Sequence, residues 1–320
     1  MIINPEERYY LKLKAAYYYY EEDYTQDAIA KMLNISRPTL SKFLKEAKEE
    51  GIVKIEIQDI RNTGHLLSLE VQLKKRYNLQ DVKVVDSMKN ESAEIRKQLG
   101  KAAAIYFEGV IRSGLKIGVS WGKTLEAMVG NLKDNKSIRN LEIITLLGGP
   151  GAFEFKAHAN FINEKMLNRY SGKGYFLYAP TILENRELFN HLVESKEIKE
   201  VLEKGKSVDI ALVGIGGPID NSTVLETGFF QERHIEQLKQ SKADGDICSR
   251  FFDIDGRACS LELNDRIVGI SLQDLRKIPK VIAVAGGKEK HDSVLGAIRG
   301  KLIDVLITDK YTAQDILQEE

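Results

Sequence analysis

Two patterns of apolar residues divide the chain: helical spacing through the opening segment, then short β-branched runs alternating with helical stretches. Leu11, Ala15, Tyr18 and Tyr19 share one face of a helix that Pro5-Glu6-Glu7 opens. Thr25 is placed to cap a second, shorter helix bearing Ile29, Ala30 and Leu33. Asparagine tolerates left-handed backbone, so Asn34-Ile35 predicts a sharp turn. Ser36 then caps a third helix with Pro38 in its first turn and Leu40, Phe43, Leu44 and Ala47 as its buried stripe. Gly51 ends that helix, and Ile52-Val-Lys-Ile-Glu-Ile57 largely alternates with a period of two, which predicts a strand.

Helix, short helix, tight turn, helix and strand is the order of a winged helix-turn-helix, whose helix after the turn enters the major groove. Ala30 is small enough for two helices to cross closely, and Ile35 and Leu40 anchor the turn. The expected DNA-contacting residues are Thr25 and Gln26 at the second helix, and Ser36, Arg37, Pro38, Thr39, Ser41, Lys42 and Lys45 at the third. Over residues 1–58 nine basic side chains face ten acidic ones, yet Arg37, Lys42, Lys45 and Lys48 oppose only Glu46 between 36 and 48. The run Tyr17-Tyr18-Tyr19-Tyr20 points around a helix and is read as core and interface rather than a stacking platform. A purely helical dimerisation module is the competing reading of this segment.

Arg61-Asn-Thr-Gly64 breaks the pattern before Leu66, Leu69 and Leu73 return at helical intervals. Strands are then predicted at 82–86, 115–119, 141–147, 208–213, 281–285 and 304–308, alternating with helices, which argues for a mostly parallel α/β sheet. Four of these runs end in glycine-rich turns: Gly118-Val-Ser120-Trp121-Gly122-Lys123-Thr124, Gly148-Gly149-Pro-Gly, Gly214-Ile-Gly216-Gly and Gly286-Gly287-Lys-Glu-Lys290. Glycine lets backbone N–H groups approach an anion at the carboxyl ends of parallel strands, so the turns predict a phosphate or sugar-phosphate cradle. Lys123 or Lys290 would add a full charge. Gly118 to Thr124 has three residues between its glycines where a Walker A loop needs four, and Gly214 to Ile219 lacks the third glycine of a dinucleotide fingerprint. Phe251 to Leu263 reads as a hairpin turning at Asp255-Gly256, with Asp246 ahead of it as a candidate sugar-hydroxyl acceptor. His158 and Asn160 open the helix after Gly149 and are further candidate ligand contacts.

A chain of 320 residues, 43% apolar and 29% charged with only 6 Pro, folds as about two domains. Lys+Arg and Asp+Glu balance at 47 each, so DNA contact must be local. No apolar run approaches the ~20 residues of a membrane span and no signal peptide is recognisable, which predicts a cytoplasmic protein without a membrane partner. Cys248 and Cys259 make neither a disulfide framework nor a zinc site, and no metal or cofactor is expected.

The segments Tyr24 to Lys45, Gly118 to Thr124, Gly245-Asp-Ile-Cys-Ser-Arg-Phe-Phe-Asp253 and Ala285-Gly-Gly-Lys-Glu-Lys290 resemble a known family. The whole chain is similar to SorC-type sugar-binding bacterial transcriptional regulators, and Gly245 to Asp253 with Leu272 to Arg276 resembles the branch that responds to deoxyribonucleoside-derived sugar phosphates. The resemblance implies a Rossmann-type ligand domain related to sugar-phosphate isomerases, assembled as a dimer or tetramer. It also implies that Gly122 and Thr124 form a phosphate loop, that Lys290 is its basic partner, and that Asp246 and His158 touch the sugar. Members that bind deoxyribose phosphate covalently carry lysine just before the paired glycines; Leu147 stands here, which excludes an imine at that position. The expected molecule is a non-enzymatic repressor of a carbohydrate or nucleoside catabolic operon, with a DNA-binding domain over 1–58 and an effector and oligomerisation domain over 59–320. Its partners would be double-stranded operator DNA and a small phosphorylated sugar. A sugar-phosphate isomerase fused to a DNA-binding domain, using His158, Asp246 and Glu289, is the alternative.

Overall fold

The computed structural model describes residues 4–56, 63–87, 91–149, 151, 155–217, 232–259 and 262–319. It divides into two compact units, Met1–Asn62 and Thr63–Glu320. The expected boundary at 58/59, Ile57, Arg61-Asn62, Pro150, Pro218-Ile219 and Ser260-Leu261 lie outside the described residues.

The first unit contains α1 (Pro5–Tyr20), α2 (Gln26–Met32) and α3 (Arg37–Glu49). Each helix starts at a side-chain cap: Asn4 accepts from the Glu7 N–H at 2.8 Å, Thr25 from Ala28 at 3.3 Å and Ser36 from Thr39 at 3.3 Å. Asn34 is left-handed at φ 51°, and the Ile35 N–H returns to the Ala30 carbonyl at 2.9 Å, closing the turn. Ala15, Ile29, Ala30, Leu40, Phe43 and Leu44 form the core, with Tyr18, Tyr19 and Tyr20 packed around it and Tyr17 exposed. Buried Lys12 and half-exposed Arg8 of α1 reach across to α3, where Arg8 meets Glu46 at 2.8 Å and Lys12 meets Glu50. Residues 52–56 form no strand. Their alternation is compatible with one, but a strand exists only through a ladder partner, and none is present among the described residues.

Nine strands follow among the described residues: β1 (Asp81–Val85), β2 (Lys116–Val119), β3 (Leu141–Thr145), β4 (Gly172–Tyr175), β5 (Ile210–Gly214), β6 (Gly245–Ile247), β7 (Arg250–Phe252), β8 (Lys280–Val284) and β9 (Val305–Asp309). Around them lie α4 (Gly64–Tyr77), α5 (Ser92–Val110), α6 (Lys123–Asn131), α7 (Ala159–Arg169), α8 (Arg186–Glu194), α9 (Lys196–Gly205), α10 (Glu232–Gln240), α11 (Leu272–Leu275), α12 (His291–Arg299) and α13 (Lys310–Gln318). Seven strands make one parallel sheet in the order β1-β9-β8-β5-β2-β3-β4. Successive strand residues feed cores on opposite faces: Ile143, Leu212 and Ile282 go to one, and Ile144, Ala211 and Ala283 to the other. Burial on both faces is why these strands read as continuous β-branched runs.

Edge strand β4 has no such run. A Cβ on Gly172 would lie 2.3 Å from the Leu141 carbonyl oxygen, so glycine lets β4 approach β3. The antiparallel hairpin is β6–β7, turning at Cys248 and Ser249 with φ 53° and 60°. The predicted Asp255-Gly256 hairpin shrinks to a turn with a single bridge between Phe252 and Ala258.

Leu40 is fully buried at the crossing of α1, α2 and α3. Leu40→Ala should lower the stability of the first unit by about 2–5 kcal/mol, measured by denaturant unfolding of the full chain; a change under about 1 kcal/mol would contradict this packing.

Candidate functional site

The chain leaves β2 towards β3 and β4, then restarts at β5 on the other flank of β2 and runs towards β8 and β9. Adjacent connections therefore diverge at β2/β5, the switch point where open parallel sheets form a ligand crevice. A cavity of about 210 Å³ opens there. That lies below the roughly 300–1,000 Å³ of drug-sized ligand sites, a scale suited to a monosaccharide phosphate and too small for a dinucleotide.

Ten of the predicted residues line it. Ser120, Trp121, Gly122, Lys123 and Thr124 come from the β2–α6 turn, Gly214 and Gly216 follow β5, Asp246 lies in β6, and Gly286 and Lys290 follow β8. Gly122 has φ 140° and ψ 153°, a conformation reserved for glycine, and it turns the chain into α6 without a side-chain cap. Amides of a first helical turn have no intrahelical acceptor, and the helix dipole adds positive potential there.

The two glycines after β5 have another role. A Cβ on Gly216 would fall 1.7 Å from Asp246 Oδ1, and one on Gly217 would fall 3.2 Å from Lys290 Nζ. Their bare backbone makes room for a carboxylate and an ammonium rather than cradling a phosphate. Asp246 is held by the hairpin: its carbonyl accepts from the Gly216 N–H at 2.8 Å and its Oδ2 from the Ser249 N–H at 3.1 Å. Arg250 fastens the hairpin by donating to the carbonyls of Ile270, Asn264, Ile267 and Gly269. Asp246 Oδ1 is buried without a hydrogen-bond partner. Burial pushes the Asp246 carboxyl up to about 6, against the opposing pull of Lys290 and the Ser249 N–H. Burial likewise lowers Lys290, while Asp246 and Glu289 counteract it. No ion pair within 4.0 Å joins Asp246 to Lys290, so two opposite charges share the cleft unpaired. Cys248 also lines the cavity, where burial pushes its thiol up to about 12 and keeps it neutral.

Six predicted contacts lie elsewhere. Gly118 is inside β2, where a Cβ would strike Leu146 at 2.7 Å. Gly148 and Gly149 follow β3, on the far side of β2 from β5, and their N–H groups bond the Val268 and Ala179 carbonyls at 2.9 and 2.8 Å. His158 starts α7 beside Gly149, and Asn160 spends both ends of its amide on the Leu177 backbone at 3.3 and 3.2 Å. Gly287 donates its N–H to Asp309 and Thr312 at 2.7 and 3.0 Å. Conversely, Ser92 and Arg96 of α5 line the cavity, although nothing in their local sequence marks them. Arg96, Lys123 and Lys290 face Asp246 and Glu289, leaving one excess positive charge for an anionic ligand.

On the first unit, Ser36, Arg37, Pro38, Ser41, Lys42 and Lys45 are exposed on α3, Thr39 is half-buried, and Thr25 and Gln26 open α2 beside them. Acidic neighbours are matched by bases: Asp27 by Arg37 at 3.5 Å, Glu49 by Lys45 at 3.6 Å, and Glu46 by Arg8. Lys42 makes no ion pair among the described residues. The Asp27–Arg37 and Lys45–Glu49 pairs are exposed on both sides and cost little to break.

Asp246 titrates above the ordinary 3.8 in the folded chain. Its contribution to stability is therefore full below pH 3.8 and lost as pH rises through about 6. Asp246→Asn should stabilise the ligand-free protein at pH 8 by about 1–3 kcal/mol, with the gain vanishing below about pH 4 in thermal melts. A gain independent of pH, or a loss at pH 8, would contradict the buried-charge assignment.

Comparison with known proteins gives the family. Residues 61–318 match a family described as "Putative sugar-binding domain", and residues 19–54 match one described as "Winged helix-turn-helix DNA-binding". The deoxyribonucleoside regulator of Bacillus subtilis (strain 168) is 35% identical over 313 residues, covering 98% of this chain and 99% of that protein. The sorbitol operon regulator of Klebsiella pneumoniae is 32% identical over 309 residues, 96% of this chain and 98% of that protein. The crystal structure of the full-length sorbitol operon regulator SorC from Klebsiella pneumoniae superposes with a TM-score of 0.75 at 32% identity, over 97% of this chain and 99% of that one. Among the described residues no helix is long and apolar enough to cross a membrane. With both signatures in order along the chain and relatives matched end to end, this protein belongs to the SorC-type family of sugar-binding, DNA-binding transcriptional regulators.

Proposed function

We propose that this regulator is a repressor of a carbohydrate or nucleoside catabolic operon, released from its operator by a phosphorylated sugar bound at the β2/β5 switch. The observation that carries the reading is the cleft itself. A small cavity holds three cationic side chains against two carboxylates, an uncapped α6 N-terminus and an orphaned Asp246 oxygen. Phosphate takes first-turn amides of α6 with Arg96 and Lys290, the Gly122 N–H being already spent on the Ala157 carbonyl at 2.9 Å, and a sugar hydroxyl donates to Asp246 Oδ1. Leu147 is buried in the core and offers no amine, so binding there is non-covalent. Of the three residues the isomerase reading would use, Asp246 and Glu289 line the cleft, while His158 lies on the far side of β2 beside Gly149.

In this reading residues 1–58 bind DNA and residues 59–320 bind effector and assemble a dimer or tetramer. Two-fold symmetry then places paired α3 helices on half-sites about one helical turn apart or multiples of it, and the effector shifts that spacing.

Two outcomes follow. Arg37→Ala and Lys42→Ala should each weaken operator binding by about 1–3 kcal/mol in gel-shift titrations; unchanged affinity and sequence preference would remove that residue from the interface. In a thermal-shift screen of pentose and hexose phosphates, the effector at about 100 times its Kd should raise Tm by roughly 5–10 °C, and unphosphorylated sugars should not. Lys290→Ala should lose most of that shift while keeping operator binding without ligand, and an undiminished shift would remove Lys290 from the site.

A further inference from the structure

We propose that Glu289 is an internal anion that competes with the effector's phosphate for the cations of the cleft, and so sets how much negative charge a ligand must bring. This inference rests on the phosphosugar reading above. Glu289 Oε1 accepts from Ser92 Oγ at 3.3 Å in the first turn of α5, and both residues line the cavity beside Arg96 and Lys290. The Arg96 side chain has no hydrogen bond or ion pair with any described residue, and its charge adds to the burial that lowers Lys290. Arg96 and Lys290 thus share the cleft with Glu289, which immediately precedes Lys290 in the turn after β8.

Gly287 explains how the carboxylate reaches this position. Its φ is 114°, and a Cβ built there would lie 3.3 Å from both Glu289 oxygens, so the side chain folds back over bare backbone. The short turn Lys288–Lys290 then presents Glu289 and Lys290 to the same cavity. In the empty cleft Glu289 offsets part of the cationic charge. A neutral sugar or a weak monoanion has too little to gain from displacing it. A phosphate of about −1.5 to −2 charge offers more charge and three acceptor oxygens. Rejection of undercharged ligands by a built-in competitor is specificity obtained through repulsion. A Glu289 that instead accepted a hydrogen bond from a ligand hydroxyl would have the opposite sign in every assay.

The test is calorimetric titration of the full chain, as wild type, Glu289→Gln and Glu289→Ala, with inorganic phosphate, ribose 5-phosphate, glucose 6-phosphate and ribose at two ionic strengths. Both variants should bind at least one phosphate-bearing probe roughly three- to tenfold tighter than wild type. That gain should shrink towards unity at about 0.5 M salt, and ribose should bind no better. Unchanged or weaker binding by both variants, or a gain that persists at high salt, overturns the proposal while the phosphosugar reading stands. If no form of the protein binds any phosphate-bearing probe, that reading fails and this inference fails with it.

Discussion

Everything in the ligand domain turns on a carboxylate and an ammonium kept in one cleft without touching. Desolvation penalises each charge, and the direct contact that would relieve both is absent. The fold tolerates this because Gly216 and Gly217 leave backbone space for the two side chains, and because Arg250 anchors the hairpin that carries Asp246 to four carbonyls. Stability given up at such a site is a sign of ligand binding: a hydroxyl can donate to Asp246 and accept from Lys290, satisfying both.

The DNA-reading unit solves a different electrostatic problem. Its acidic side chains outnumber the basic ones, yet Arg8 and Lys12 of α1 take up Glu46 and Glu50 at the far end of α3. Acidic charge is thereby neutralised away from the first turns of α3, where Arg37 and Lys42 are exposed. Local placement, rather than net charge, makes the face compatible with a phosphate backbone.

Much of this was legible in the sequence wherever the determinants are local. Thr25, Ser36 and Asn34 announce the helix-turn-helix because caps and left-handed turns are made within a few residues. The central strands are visible because burial on both faces demands β-branched runs. Edge strand β4 escapes notice because Gly172 serves a close approach to Leu141, a neighbour distant in sequence. Gly148 and Gly149 look equivalent to the other glycine turns, and only strand order, which no local pattern encodes, puts them on the wrong side of β2. Ser92 and Arg96 reach the cleft through the same non-local geometry. Cys248 and Ser249 make the hairpin turn without the glycine signal that drew the eye to Asp255-Gly256.

The central claim is that occupancy of the β2/β5 cleft is felt by the DNA-reading helices, and coupling of that kind is reciprocal. The most direct measurement is fluorescence anisotropy of a labelled operator fragment titrated with full-length protein, with and without a saturating phosphosugar. The account predicts that the sugar weakens operator binding by about 5- to 150-fold in wild type and has little effect in Lys290→Ala. Operator affinity indifferent to a phosphosugar that demonstrably fills the cleft would contradict it.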